Sequence, residues 1–338
     1  MSIHAKPAGR RALAAATAAG ACLAATLGLA ATSTSAASTR VHARVQAGTL
    51  EITGTARADN IALRLAPGAP TTLQVDVGGD GTADFSFETA TFTAITVAAG
   101  NGADTINGSA GLAALGQLTI DGGRGNDTLL GGDGDDVLRG GKGNDTVIGQ
   151  RGNDTGLLGA GDDRFTWNPG DGDDTVEGQA GNDVLAFNGA NIAELIDVAA
   201  NGPRVKLFRN VANITMDLDA VERLELNALG SPDRITVGDL TGTDLKATDV
   251  DLSATAGGGD AAPDAVIVAG TGRADRVRVT RSGTRVLTTG LAAQTRIAGS
   301  EAANDSLFIN TLAGNDDVNV ATDVADLIRP IVDLGPDE

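Results

Sequence analysis

The chain has no tyrosine, a single tryptophan and only 2% aromatic residues in 338, so a large core built on aromatic rings is excluded. Val, Leu, Ile and Ala must fill the interior, and side chains of that size suit a thin, repetitive core. Cysteine is limited to Cys22 and histidine to His4 and His42. There is no HExxH for a zinc protease and no GxSxG nucleophile elbow, which argues against both hydrolase classes. Basic side chains are scarce as well: 25 Lys and Arg face 44 Asp and Glu, for a net charge of −19. Nucleic-acid partners are held by clustered Lys and Arg, so an acidic chain of this kind excludes them. Cations are its more natural counterpart.

The N-terminus reads as an address. Lys6, Arg10 and Arg11 precede an apolar run from Leu13 to Ala31, and Ser35-Ala36-Ala37 supplies a small-residue cleavage pattern. This is the layout of a secretory signal peptide, and it predicts a secreted, extracellular mature chain from Ser38 with no membrane span. The Ala-rich run is too weakly hydrophobic to be preferred as a membrane helix. Arg10-Arg11 leaves the export route open between the general and the twin-arginine pathways. Ala19-Gly20-Ala21 is a poor lipobox, so Cys22 is not read as a lipid anchor. The predicted mature chain then has no cysteine, and without disulfides its rigidity must come from elsewhere.

A short period dominates the centre. Gly122 to Ile148 reads GGRGNDTLL, GGDGDDVLR, GGKGNDTVI. The frame continues as GQRGNDTGL from Gly149 and LGAGDDRFT from Leu158, and after Trp167-Asn168 as PGDGDDTVE from Pro169 and GQAGNDVLA from Gly178. Sixth positions are Asp127, Asp136, Asp145, Asp154, Asp163, Asp174 and Asp183, without a miss. Eighth positions are apolar except Gly156, so the fourth block is expected to pack less well. Glycines at positions one, two and four are expected to take positive φ, and the apolar eighth residue to begin a short inward-facing strand. Two blocks then make one coil, and turns of alternate blocks stack.

Stacked parallel strands lie roughly 4.8 Å apart, which would place the sixth-position carboxylates in columns. Two unit charges at that spacing repel by about 3.5 kcal/mol at an effective dielectric of 20. A hard dication between successive turns removes the repulsion, and oxygen ligands in high coordination number suit Ca2+ better than magnesium.

These blocks resemble the hemolysin-type calcium-binding nonapeptide of the RTX family over Gly122 to Ala186. The resemblance implies a parallel β-roll with calcium shared between turns of alternate blocks. Asp127, Asp136, Asp145, Asp154, Asp163, Asp174 and Asp183 would bind through side chains. Gly122, Gly125, Gly131, Gly134, Gly140 and Gly143 would bind through carbonyls, with Asn126, Asp135 and Asn144 beside them. Gln150 and Gln179 replace the second glycine, Leu158 and Pro169 the first, so weaker or empty sites are expected at those turns.

The flanks carry a fainter version. Val221 to Val237, Pro263 to Val279 and Asn304 to Val320 align as three copies with second acids at Asp233, Asp275 and Asp316. Period-two alternation predicts half-buried strands, and aspartates there read as turn formers rather than ligands. Asp104, in AGNGADTIN, is the exception to watch. Asp76 to Asp84 faintly resembles a calcium loop, but LQVDV and ADFSF around GGDGT favour a plain hairpin, as Asn201-Gly202 does later. Helix is expected at most as a turn near Asn191 to Leu195.

The expected fold is therefore all-β: a parallel β-roll solenoid flanked by degenerate β-solenoid repeats. The expected division is a signal peptide at 1–37, an N-terminal β-rich region at 38–120, the calcium-binding roll at 121–186 and a C-terminal degenerate β-repeat region at 187–338. The expected function is a secreted, non-catalytic calcium-binding protein with a structural or adhesive role, its further partners a cell-surface glycan or a second copy. The alternative is a calcium-dependent polysaccharide-binding or polysaccharide-modifying solenoid.

Overall fold

The computed structural model describes residues 39–108 and 111–335; the expected signal peptide, with His4 and Cys22, lies outside them. Two sheets of fourteen strands each make up the fold. Through the centre the chain alternates between them, one strand per nine-residue block. Leu118–Arg124, Val137–Lys142, Thr155–Ala160 and Thr175–Ala180 lie in the first sheet, and Thr128–Asp133, Thr146–Arg151, Arg164–Trp167 and Val184–Asn188 in the second. Neighbours are parallel and two blocks apart: Val137 pairs with Thr155, and Leu129 with Val147. Two blocks per coil, with n on n+2, is the expected arrangement.

Period-two alternation turns one side chain in two inward. Leu129, Leu138, Val147, Phe165, Val176 and Leu185 are fully buried, and one continuous apolar core runs between the sheets. The fourth block corrects the expectation of poor packing. A methyl on Gly156 would lie 2.8 Å from Cδ2 and Cε2 of Phe165, so the large ring of the fifth block fills the space left by the missing side chain. Trp167, within the two-residue insertion, stacks on Phe187 with ring centroids 4.3 Å apart, and its Nε1–H donates to the Gly172 carbonyl at 2.9 Å.

Both flanks continue the same two sheets, so the solenoid extends well beyond the glycine-rich blocks. Antiparallel insertions interrupt it. Leu195–Asn201, Arg204–Arg209 and Ile214–Asp219 form a meander in the first sheet. Arg276–Ser282, Arg285–Thr289 and Gln294–Ala298 form another in the second. Ala69–Val77 and Phe85–Glu88 pair antiparallel, as the hairpin reading requires. No helix forms at Asn191 to Leu195; that segment is a bend entering a strand.

The three flank copies are not in one phase. Arg223–Leu229 of the first copy lies in the second sheet, whereas Ala265–Ala269 and Ser306–Asn310 of the other two lie in the first. Ala265 pairs with Ser306 as equivalent positions should, but the first copy is displaced by half a coil. The half-coil shift arises because alternating strands fit either sheet equally well.

Candidate metal centre

Each central turn is shaped by glycine at two kinds of position. Gly141 and Gly143, second and fourth in their block, have φ of 108° and 124°, where a Cβ would be strained. First-position glycines do not share this conformation, which corrects the reading of all three as positive-φ sites. They are required by close approach: a methyl on Gly131 would sit 2.5 Å from the Gly149 carbonyl oxygen and 2.8 Å from Asp136 Oδ2. At the departures the turn persists. Gln150 and Gln179 take φ of 68° and 72°, accepting the left-handed backbone without being glycine.

The sixth-position aspartates form two columns, one on each edge of the sheets. On one, the backbone N–H of Asp127 donates to Asp145 Oδ1, that of Asp145 to Asp163 Oδ1 and that of Asp163 to Asp183 Oδ1, at 2.7 to 2.9 Å. On the other, Asp136 donates to Asp154 and Asp154 to Asp174, at 2.8 and 2.9 Å. The fifth-position residues are exposed and form a ladder of opposite direction. Asn126 Oδ1 accepts the N–H of Asn144, Asp135 Oδ1 that of Asn153, and Asn144 Oδ1 that of Asp162. Fifth-position oxygens are thus engaged with backbone, and the sixth-position Oδ1 atoms likewise.

What remains is the second oxygen. Oδ2 of Asp127, Asp136, Asp145, Asp154, Asp163, Asp174 and Asp183 is buried with no hydrogen-bond partner, although each residue is at most 2% exposed. Buried carboxylate oxygens left bare are expensive. Burial, reinforced by neighbouring acids, raises all seven carboxyls: Asp145 to about 6, Asp136, Asp154 and Asp183 to about 7, and Asp174 to about 8. Among the described residues no three acidic, histidine or cysteine side chains gather closely enough to hold a metal by themselves. A cation here needs backbone carbonyls as well, and they are close: a methyl on Gly122 would sit 2.5 Å from Asp127 Oδ2 and 2.8 Å from the Gly140 carbonyl oxygen. Bare carboxylate, converging carbonyl and a cradle no Cβ can enter fit a hard dication.

Residues 96–111, 119–147, 130–165 and 170–191 match the family described as the RTX calcium-binding nonapeptide repeat, in four copies. The chain carries RTX repeats. They imply Ca2+ as the bound ion, on a β-roll, and the seven bare Oδ2 atoms of the central blocks lie within the matched stretches. Among curated proteins none matches the chain.

The aspartate columns run further than the glycine-rich blocks suggest. Asp104, inside the first matched stretch, donates its N–H to Asp127 Oδ1 at 2.7 Å and has a bare Oδ2. Asp233 and Asp316, read from the sequence as turn formers, also have buried, bare Oδ2 atoms. A signal for Asp316 was available: Ala313-Gly-Asn-Asp316 repeats Ala180-Gly-Asn-Asp183, and Leu312, with φ of 68°, stands where Gln179 does.

Other turns close without a cation, and there the turn-former reading holds. Thr55-Ala-Arg-Ala-Asp59 and Thr271-Gly-Arg-Ala-Asp275 share one network. The Thr N–H donates to the Asp Oδ2 at 2.6 and 2.7 Å, and the Thr hydroxyl to Oδ1 at 3.2 and 3.1 Å. In the Asp76 loop Arg64 supplies the positive charge, donating to Asp76 Oδ2 and to the Gly81 carbonyl, both at 2.8 Å. It holds the Asp76 carboxyl below the ordinary range. Arg209 neutralises Glu194 in the same way: both are buried, and the guanidinium lies 5.3 Å from the centre of the Trp167 ring.

Proposed function

We propose that calcium held between stacked turns folds and stiffens this roll, and that the protein acts outside the cell as a non-catalytic structural or surface element. The observation that carries the reading is the unbroken run of seven bare, buried Oδ2 atoms. In a metal-free roll these groups oppose folding, because burial and mutual repulsion penalise their charged form. A dication beside each reverses the sign. Asp127, Asp145, Asp163 and Asp183 would hold ions on one edge, and Asp136, Asp154 and Asp174 on the other, with first-position carbonyls completing the shell.

An extracellular-type site with a dissociation constant of about 0.1 mM, in about 1 mM calcium, contributes roughly 1.4 kcal/mol by mass action. About five such sites contribute about 7 kcal/mol, comparable to a domain's net stability. Calcium concentration then works as the folding signal: the chain is loose where calcium is scarce and rigid where it is plentiful. Supporting the extracellular setting are the N-terminal signal pattern and the lack of cysteine beyond it. Calorimetric titration of the mature chain tests the reading directly. Several sites are expected, together with a gain of β signal in far-UV circular dichroism; zero sites, or a spectrum indifferent to chelator, overturns it.

A further inference from the structure

This acidic chain has one strongly basic stretch. Six of its 25 basic side chains, Arg273, Arg276, Arg278, Arg281, Arg285 and Arg296, fall between positions 273 and 296, where the single acid is Asp275. The stretch forms the meander of Arg276–Ser282, Arg285–Thr289 and Gln294–Ala298 in the second sheet. Val277, Val279, Val286 and Ile297 are its buried residues, so alternation puts Arg276, Arg278, Arg285 and Arg296 together on the outer face.

Register then groups them. Leu287 lies opposite Thr280 on one side and Arg296 on the other; Arg285 is two residues before Leu287, and Arg278 two before Thr280. Three arginines therefore flank one half-buried leucine. Arg296 is held by Asp249, to whose Oδ1 its Nη1–H donates at 3.1 Å. Among the described residues no ion pair reaches Arg276, Arg278 or Arg285.

A groove of about 190 Å³ opens on the same face, lined by Arg223, Arg285 and Arg296 together with Asn227, Asp249 and Asp251. Asn227 ends a ladder of amides. Its Nδ2–H donates to Asn188 Oδ1 at 2.8 Å, and the Asn188 Nδ2–H to Asn168 Oδ1 at 2.9 Å. Asn227 Oδ1 has no donor among the described residues, and Asp251, whose Oδ1 accepts the Ser253 N–H at 2.9 Å, keeps Oδ2 open in the same way. One groove thus presents an unpaired guanidinium beside unused oxygen acceptors.

These two demands define the ligand. Guanidinium groups bind carboxylates through paired N–H bonds, while free amide and carboxylate oxygens call for O–H donors. A sugar bearing a carboxylate among its hydroxyls meets both, whereas a plain phosphate or sulfate leaves the acceptors unmet. We propose that this outer face binds an acidic glycan of the uronic-acid class, Arg278 and Arg285 taking carboxylates and Asn227 and Asp251 taking hydroxyls. The inference rests on the reading of the protein as an extracellular surface element and names what it holds there.

Short oligogalacturonates are the probe, titrated by calorimetry into the full mature chain in saturating calcium, with dextran oligomers as the uncharged comparison. Wild type is expected to bind the acidic oligomer and not the neutral one, with affinity falling as salt rises. Arg278→Gln and Arg285→Gln are each expected to weaken binding about tenfold, with circular dichroism and calcium stoichiometry unchanged. Arg139→Gln removes the same charge from an exposed position on the first sheet and should leave binding as it is. The proposal is overturned by absent binding, by equal binding of dextran, by binding that survives both changes on the meander, or by an equal loss in Arg139→Gln. Capture by phosphatidylglycerol vesicles, or self-association in gel filtration, without binding of the oligomer also overturns it, in favour of a lipid surface or a second copy. None of these results alters the calcium titration of the roll, and zero calcium sites with glycan binding intact would overturn the proposed calcium role alone.

Discussion

The backbone N–H of Asp127 donates to Oδ1 of Asp145, 18 residues on, at 2.7 Å, while Oδ2 of Asp145 faces no partner at all. One carboxylate thus has two tasks: it ties a coil to the one before it, and it keeps an oxygen free. Asp145→Asn separates them, since the amide oxygen can still accept the Asp127 N–H and the buried charge is gone. Metal-free Asp145→Asn is expected to melt at a higher temperature than metal-free wild type, and the calcium-saturated variant at a lower one. A uniform loss of stability in both states would show that the free oxygen has no role in binding.

The direction of pH dependence follows from the same oxygens. Asp136 and Asp154, raised to about 7, and Asp174, raised to about 8, ionise near 3.8 once unfolded. The acids facing them, Asp133, Asp135, Asp171 and Asp173, push the same way. A raised carboxyl stabilises the fold below its unfolded pKa, and that stability is lost as pH climbs through its folded pKa. In chelator, urea midpoints are expected to fall steadily from about pH 4 to about pH 8. With saturating calcium the trend should reverse, because protons and ions compete for Oδ2. A metal-free midpoint that rises over this range would contradict the assignment.

Glycine at the first position is required by space and not by torsion. Gly131→Ala would press a methyl against the Gly149 carbonyl and Asp136 Oδ2, and is expected to cost about 1 to 3 kcal/mol and to lower calcium affinity at that turn. Gly272→Ala is the matched comparison, with nothing within 4 Å of the added methyl and no positive φ. It should change denaturation midpoints by no more than about 0.5 kcal/mol.

Gly156 and Phe165 fill one volume between them. Gly156→Ala alone is expected to destabilise by about 1 to 3 kcal/mol through overpacking. In the Phe165→Leu background the same change should cost clearly less, since the smaller side chain makes room. Strict additivity in the double-mutant cycle would mean the two do not share space.

At Thr271 the turn closes by hydrogen bonds. Thr271→Val removes the hydroxyl that donates to Asp275 Oδ1 and accepts the Arg273 N–H at 3.1 Å. A loss of about 1 kcal/mol is expected, the same with calcium or with chelator. A calcium-dependent loss would place an ion at this turn.

The roll was legible because its period is written twice in every block: an aspartate that must reach the next coil, and an apolar residue two positions later that must face inward. Any chain repeating both at nine residues can satisfy them only by stacking alternate blocks. Less legible was which flank aspartates remain open. Asp275 and Asp316 occupy equivalent positions, yet Thr271 satisfies Oδ2 of the first, while Oδ2 of the second has no partner among the described residues, a difference carried by a residue four places away. The phase of Val221 to Val237 was hidden too, because alternation reports that one face is buried without saying in which sheet. Gly156 misled for a related reason: its partner is a ring in the following block, and a nine-residue frame compares a position only with its own equivalents.

The buried pair of Arg209 and Glu194 stands where the repeat column gives way to the first meander. With calcium at its carboxylates as proposed, the other positive charges serving that column would be open to a chelator; this one is tethered to the chain. Calcium-free medium would then empty the roll without emptying its junction. On the return of calcium, the last repeat turn would have a finished surface to build upon, and order would spread from that fixed end.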